Sequence, residues 1–296
     1  MHKKQTKISK NTVFRKNMTK KELKIIYKKE RKSAHLEYKS AIREAEEKYR
    51  ASVDAAEDRY QDRLDDAEEK YDLALEEFYR ILGKKPPINP PKRPLLEEIG
   101  NSITHGVGAA FAVVALILML LSSDRPIEYV SSCIYFFGMF IMFLSSCLYH
   151  AFPYGSKVKR LFHRFDYSSI YLLIGATFSP VLLCHFENLF GYIFFGIQWA
   201  IIATGVTFVG IFGPKRLNFM HIPLYVVLGW SALMLLPDLL SDNFDLALWV
   251  LIGGVVYTVG IIPFLIRARV SHFIWHFFVL GGAVIHWIGI YLYLFN

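Results

Sequence analysis

Three histidines and one aspartate lie where apolar stretches of this sequence begin or end. His272 and His276 are four residues apart, a spacing that stacks both imidazoles on one side of a helix. His150 and Asp166 flank a short basic segment earlier in the chain. Three neutral imidazoles with an open fourth position form a catalytic zinc arrangement, and a nearby carboxylate can hold and deprotonate the water there. Ser146, one turn before His150, would face the same cavity.

The elements that must position these residues are membrane helices. Residues 99–296 contain only 9 Lys and Arg and 7 Asp and Glu, whereas about a quarter of the residues of a soluble domain are charged. The three cysteines are an odd number in apolar runs, which excludes a disulfide-built secreted scaffold, and the first 30 residues show no signal peptide. Seven runs have about the length that spans a bilayer. They are 102–122, 130–150, 166–184, 187–212, 217–236, 245–265 and 272–295.

The charges of the short connections predict the orientation of this seven-helix bundle. Eight of the nine basic residues after Glu98 lie in three loops on the side of the basic N-terminal region. The other loops contain Arg125 and most of the acidic residues. The positive-inside rule therefore predicts a multi-pass protein of the cell membrane with a cytoplasmic N-terminus and an extracytoplasmic C-terminus. The eight basic residues are Lys157, Lys159, Arg160, Arg164, Lys215, Arg216, Arg267 and Arg269.

This topology places His150, Asp166, His272 and His276 at one depth, near the cytoplasmic face. Depth alone leaves the choice of ligands open, since three other histidines share it and histidines also gather at membrane interfaces. Cys147 is a further candidate ligand, although a packing role fits its offset better. The same-depth histidines are His105, His163 and His221, while His185 and His286 lie further toward the outside.

The first 98 residues form a different region. Residues 1–33 contain 13 basic and 2 acidic residues and are expected to be an arm that contacts anionic lipid, not nucleic acid, because the apolar half selects the membrane. Residues 34–83 are expected to be a charged cytoplasmic helix, 84–97 a proline-rich linker and 98–296 the membrane domain. In the helix, four eleven-residue units each open with Ala and carry Tyr at the fifth position and an aliphatic residue at the ninth.

This repeat places its alanines, tyrosines and aliphatic residues on one nearly straight stripe, because eleven residues make almost three helical turns. Three roles remain open for the helix near 34–82. It is a charged spacer that packs on itself or on a protein partner, a self-associating coiled coil, or a helix on the membrane surface. The net acidic charge of the four units, 7 basic against 15 acidic residues, disfavours a surface of anionic lipid.

Four motifs in order resemble the hemolysin III family, the bacterial branch of the progestin and adipoQ receptor superfamily. They are EEIGNSITHG from Glu97, SSCLYH to His150, FHRFDYSSIYLLI around Asp166, and SHFIWHFF with VIHWIG from Ser271. The resemblance covers about residues 95–296 and implies seven helices with zinc on His150, His272 and His276. It also implies that Asp166 binds the water at the zinc. It does not explain residues 1–85.

Three candidate activities compete, of which the resemblance implies the first and the third. The first is a zinc-dependent hydrolase of lipid amides, similar to ceramidases, in which Asp166 takes a proton from water and Ser146 helps to stabilise the oxyanion. The second is a sensor or receptor-like regulator of the membrane with structural zinc. The third is a pore former, as the name hemolysin implies. The sequence favours them in that order, because several of the helices lack the polar stripes that a conducting path requires.

A reporter fused after Asn296 should read as extracytoplasmic, and one inserted near Ser156 should read as cytoplasmic. The physical reason is the eight-to-one asymmetry of basic residues between the two sets of loops. Paired alkaline phosphatase and fluorescent-protein fusions would measure both positions, and a cytoplasmic C-terminus would contradict the orientation.

Overall fold

The structure is a computed structural model that describes residues 19–83, 89–214, 218–266, 268 and 270–296. Parts of the predicted basic arm and proline-rich linker lie outside these residues, as do four of the eight orienting basic residues. Within the described residues every regular element is helical, which confirms the all-helical prediction. The chain divides into two compact units, Met1–Pro86 and Pro87–Asn296.

The first unit contains one helix of 62 residues, α1 (Lys20–Ile81). It ends where the repeat predicted, but it begins inside the segment interpreted as a basic arm. The cause is a capping box: the Thr19 N–H donates to Glu22 at 2.8 Å, and the Glu22 N–H donates to the Thr19 hydroxyl at 3.4 Å. The Thr19 N–H and the Thr19 hydroxyl both donate to the Glu22 carboxylate and lower its pKa, and the capping box stabilises the first turn. Gly83, with a φ of 63°, follows the end of the helix.

Among its described residues, the second unit contains eight α-helices that provide six long apolar spans and one bent pair. This confirms a multi-pass membrane bundle, with seven spans when the bent pair is taken as one. Two helices continue as short π-helical turns, Val181–His185 and Tyr291–Phe295. The eight helices are α2 (Leu95–Leu121), α3 (Pro126–Ala151), α4 (Lys157–Pro180), α5 (Leu189–Phe212), α6 (Asn218–Trp230), α7 (Leu236–Asp242), α8 (Phe244–Leu265) and α9 (Ser271–Ile290).

The first part of the bent pair, Met220–Met234, covers most of the run predicted over 217–236, and the second part, α7, extends beyond it. Helix α6 passes through a 3-10 turn, Ser231–Met234, into α7, and the two parts differ in direction by 43°. Pro237 lies in the first turn of α7, where its missing N–H costs no hydrogen bond. A proline there starts a new helix more readily than it continues an old one, which accounts for a bend at the end of the predicted run.

Helix α4 begins nine residues before the run predicted at 166. Ser156 caps it by accepting the Lys159 N–H at 3.0 Å, so the basic segment interpreted as a loop is the start of the helix. Lys159 is buried there and does not lie in a loop. Asp166 consequently lies inside the helix, roughly 13 Å from its first residue.

Small residues bring α3 and α4 into close contact. A Cβ added to Gly138 would lie 2.3 Å from the Ala176 Cβ and 2.5 Å from the Leu172 carbonyl oxygen. Membrane helices gain van der Waals contact from such close approaches, because lipid supplies no hydrophobic force between them. The contact holds the C-terminal half of α3, with Ser146 and His150, beside the N-terminal half of α4.

Candidate metal centre

Three histidines converge at one end of the bundle. His150 lies in the last turn of α3, and His272 and His276 lie in the first turns of α9. One ligand atom from each lies within 4.8 Å of the others, and the Nε2 atoms of His272 and His276 are 3.2 Å apart. Nitrogen ligands at the usual zinc distance in a tetrahedron are about 3.3 Å apart. The cluster could therefore hold a metal ion without large rearrangement.

Glu98 of α2 orients the imidazole of His150. Its carboxylate contacts His150 Nδ1, and the Asn101 side-chain nitrogen lies 3.4 Å from the same atom. A carboxylate only accepts hydrogen bonds, so Nδ1 carries the hydrogen and Nε2 keeps its lone pair. Nε2 is buried and has no partner. A carboxylate behind a histidine in this way fixes the tautomer and strengthens the histidine as a ligand.

Lys159 holds Glu98 in place. Its Nζ donates to Glu98 Oε1 at 2.9 Å and to the Tyr149 and Phe152 carbonyls at 3.1 Å. Those carbonyls belong to the C-terminal end of α3, where helices leave acceptors without intrahelical donors. The Lys159 side chain is 1% exposed. The ammonium group therefore ties three helices together and balances a carboxylate that would be costly to bury alone.

Further imidazole nitrogens around the cluster have no hydrogen-bond partner within the described part of the chain. His276 Nδ1 and both ring nitrogens of His105 are buried without partners. His105 stacks on His276, with ring centroids 3.7 Å apart, and meets Phe143 edge-on. Buried polar atoms nearly always have hydrogen-bond partners. Several such atoms around one point fit a donor set that binds a group from outside the chain.

The other histidines considered as ligands have different surroundings. His163 stacks on Tyr149, and His221 Nδ1 lies 2.8 Å from the Tyr171 hydroxyl. Cys147 turns toward α2, where its sulfur lies 3.5 Å from the Ser102 hydroxyl. Among the described residues, the structure thus brings His150, His272 and His276 into the only group of this kind.

Asp166 and Ser146 form a second polar group beside the histidines. The Ser146 hydroxyl interacts with the Asp166 carboxylate, and both residues line the cavity that also exposes His272 and His276. Asp166 is not a member of the metal-binding group. Its position suits a carboxylate that acts on a bound water or substrate and does not bind the metal directly.

The cavity has a volume of about 200 Å³ and a mostly apolar lining. It extends from Arg93 and Tyr149 at the histidine end to Leu239 and Ile290, further along the bundle. His286 lines this deeper part and shares a hydrogen bond of 2.9 Å with the Gly282 carbonyl, in agreement with the buried, hydrogen-bonded role predicted for it.

The sequence analysis did not assign Glu98 or Lys159 to the site, and it did not predict that His105 stacks on His276. A pattern for two of them was available, because Glu98, Asn101 and His105 are spaced by three and four residues and so share one face of α2. Lys159 gave no such pattern, since a lysine between two apolar runs is typical of a loop.

The chain is similar in sequence to several known proteins. The family model described as "Haemolysin-III related" matches residues 94–287. "Hemolysin-3" of Bacillus cereus is 34% identical over 205 residues, which cover 67% of this chain and 91% of the relative. "Hemolysin-3 homolog" of Bacillus subtilis is 33% identical and covered to 89%. Human "Monocyte to macrophage differentiation factor" is 26% identical over 74% of this chain and 94% of its own length.

Replacing His150, His272 or His276 by Ala should reduce bound zinc well below one ion per chain, because each removes one ligand of three. Metal analysis of the purified protein by mass spectrometry would measure this. His185→Ala and His286→Ala are the controls and should keep the metal, while zinc retained by His276→Ala would contradict the assignment.

Glu98→Gln should weaken zinc binding by about 10- to 100-fold, because the amide no longer fixes the His150 tautomer as a carboxylate does. Competition with a fluorescent chelator would measure the affinity. Glu128→Gln is the matched control, since Glu128 is also buried in an ion pair, with Arg125 at 2.7 Å, outside the cluster. Equal affinities of the two variants would show that Glu98 does not support the ligand.

Proposed function

This chain belongs to the hemolysin III family within the progestin and adipoQ receptor superfamily, and we propose that it is a zinc-dependent hydrolase of lipid amides. The observation that carries this proposal is one apolar cavity lined by two histidines of the cluster, His272 and His276, and by Asp166 and Ser146. Three imidazole nitrogens suit zinc, and an apolar cavity suits an acyl chain.

Zinc held by His150, His272 and His276 would supply a Lewis acid that polarises the amide carbonyl and lowers the pKa of water to near 7. The remaining roles fall to side chains of this chain. The Glu98 carboxylate keeps Nε2 of His150 free for binding, and Lys159 keeps that carboxylate ionised and in position.

Asp166 acts as the general base. It accepts a proton from the attacking water and passes it to the leaving amine, so that water is added and the C–N bond is broken with no change in net charge. Ser146 has a single hydroxyl hydrogen, which it donates to the Asp166 carboxylate before the reaction begins. Once Asp166 is protonated it accepts more weakly, and the Ser146 hydroxyl becomes free to donate to the oxyanion.

The substrate reaches the cavity sideways from the lipid. Gly229 of α6 and Gly254 of α8 both line the cavity, and a Cβ added to either would meet nothing within 4 Å. Open space between two lipid-facing helices gives an acyl chain a route that does not cross water. On the predicted orientation this route opens from the cytoplasmic leaflet.

Asp166→Asn should reduce turnover of a lipid amide such as ceramide by about 10²- to 10⁴-fold while zinc stays bound, because the amide side chain cannot take the proton. Release of fatty acid from ceramide in nanodiscs, measured by mass spectrometry, would test this. Asp238→Asn, an exposed aspartate of α7 at the other end of the bundle, is the control and should leave turnover unchanged.

Two results would contradict the proposal. Equal turnover by the Asp166→Asn variant and the parent chain would show that Asp166 is not the general base. A zinc-loaded parent chain that releases no fatty acid from any lipid amide would favour the sensor with structural zinc.

A further inference from the structure

Helix α1 carries an apolar stripe along its whole repeat. Five tyrosines lie eleven residues apart, and each is between 60% and 73% exposed. The early start of α1 at Lys20 adds Tyr27 to the four tyrosines of the repeat. They are Tyr27, Tyr38, Tyr49, Tyr60 and Tyr71. An exposed row of rings on a long helix indicates a surface that is built to be covered.

The width of this stripe follows from the period. Eleven residues in three turns place successive residues about 98° apart, so positions 1, 5, 8 and 9 of each unit lie on one arc. Position 1 holds Ala, position 5 Tyr, and position 9 Ile, Val or Leu. Position 8 holds Ala41, Ser52 and Ala74, with Arg63 as the exception. We call these four positions the stripe.

The two flanks of the stripe carry opposite charges in the last three units. Position 4, on one side, holds Lys48, Arg59 and Lys70 in the sequence. Position 2, on the other side, holds Glu46, Glu57 and Glu68. Positions 3 and 10 lie opposite the stripe by the same geometry, and position 11, which holds Glu44, Asp66 and Glu77, lies beyond the basic flank. The excess negative charge of the repeat therefore lies mainly outside a contact made through the stripe.

The opposite charges of the two flanks favour an identical helix as the partner and a parallel orientation of the pair. In a parallel pair of identical helices, opposite flanks meet, so each basic flank faces an acidic flank. In an antiparallel pair like flanks meet, and charges of one sign repel. We propose that α1 forms a parallel, in-register coiled coil with α1 of a second copy of this chain. The eleven-residue period gives this coiled coil a right-handed supercoil.

The ion pairs described for the basic flank allow its lysines to pair with a second helix instead. Lys48 contacts Glu44 and Lys70 contacts Asp66 within the same helix, at 2.5 Å and 2.8 Å. Both pairs are exposed, and exposed pairs contribute little to stability. The lysines can therefore turn to a partner helix at small cost, while each Tyr and aliphatic layer buries apolar area between the helices.

Cysteine cross-linking of the full chain in nanodiscs tests both the surface and the direction. Cys133, Cys147 and Cys184 are first replaced by Ser, and single cysteines are then placed in the stripe by Ala34→Cys or Ala67→Cys. The matched controls are Glu47→Cys and Glu69→Cys at position 3, on the opposite side of α1. Mild oxidation should link each stripe variant to itself about tenfold faster than its control, because the coiled coil raises the local thiol concentration.

Charge exchange provides the second arm. Lys48→Glu, Arg59→Glu and Lys70→Glu together should abolish the fast cross-linking, since both flanks become acidic. Adding Glu46→Lys, Glu57→Lys and Glu68→Lys should restore it, because the exchanged flanks are complementary again. Circular dichroism of each variant checks that α1 remains helical.

Four results would overturn the proposal. Equal rates at stripe and control positions would show random collision. Cross-linking only between mixed Ala34→Cys and Ala67→Cys chains would show an antiparallel pair. A stripe that does not cross-link at all would show a monomeric rod or cover by another protein. Failure of the exchanged flanks to restore the rate would remove the charge argument. None of these results depends on whether the bundle hydrolyses a lipid.

Discussion

The end of the bundle that holds the histidine cluster depends on one pair of contacts. The carboxylate of Glu98 contacts both His150 and Lys159. It joins the first turn of α2 to the last turn of α3 and the first turn of α4. Each partner needs it for a different reason: the imidazole for its tautomer, and the buried ammonium for its opposite charge. A neutral residue at this position would leave Lys159 charged and unbalanced and would leave His150 free to turn.

Sequence reasoning placed the three histidines correctly at one end of the bundle because the order and direction of apolar helices settle depth. Asp166 was assigned to a helix edge because the apolar run starts there, whereas α4 starts earlier on a Ser156 cap with a basic and partly buried first turn. Glu98 and Lys159 stayed unassigned for a related reason. A charged residue near a helix end is typical of a loop. Only the packing of α2, α3 and α4 shows that Glu98 and Lys159 are enclosed between helices.

The same limit applies to the ends and bends of helices. The repeat predicted the position and the end of α1, but the capping box of Thr19 and Glu22 extended it beyond the repeating units. The run over 217–236 is mostly apolar, and its hydropathy does not show that the chain passes through a 3-10 turn at its end and bends into α7. Local hydrogen-bond chemistry, such as a cap or a proline without a donor, decides these cases.

The histidine cluster also has a consequence for biogenesis. Its ligands come from α3 and α9, and five helices separate these two along the chain. The Glu98, Lys159 and His150 contacts need only α2, α3 and α4, so that half of the centre can assemble while later helices are still being synthesised. The other two imidazoles arrive with α9, which follows those helices along the chain. On the proposed function, metal binding therefore waits until α9 has packed against α3, and the bound ion then stabilises the contact between these two distant parts of the chain.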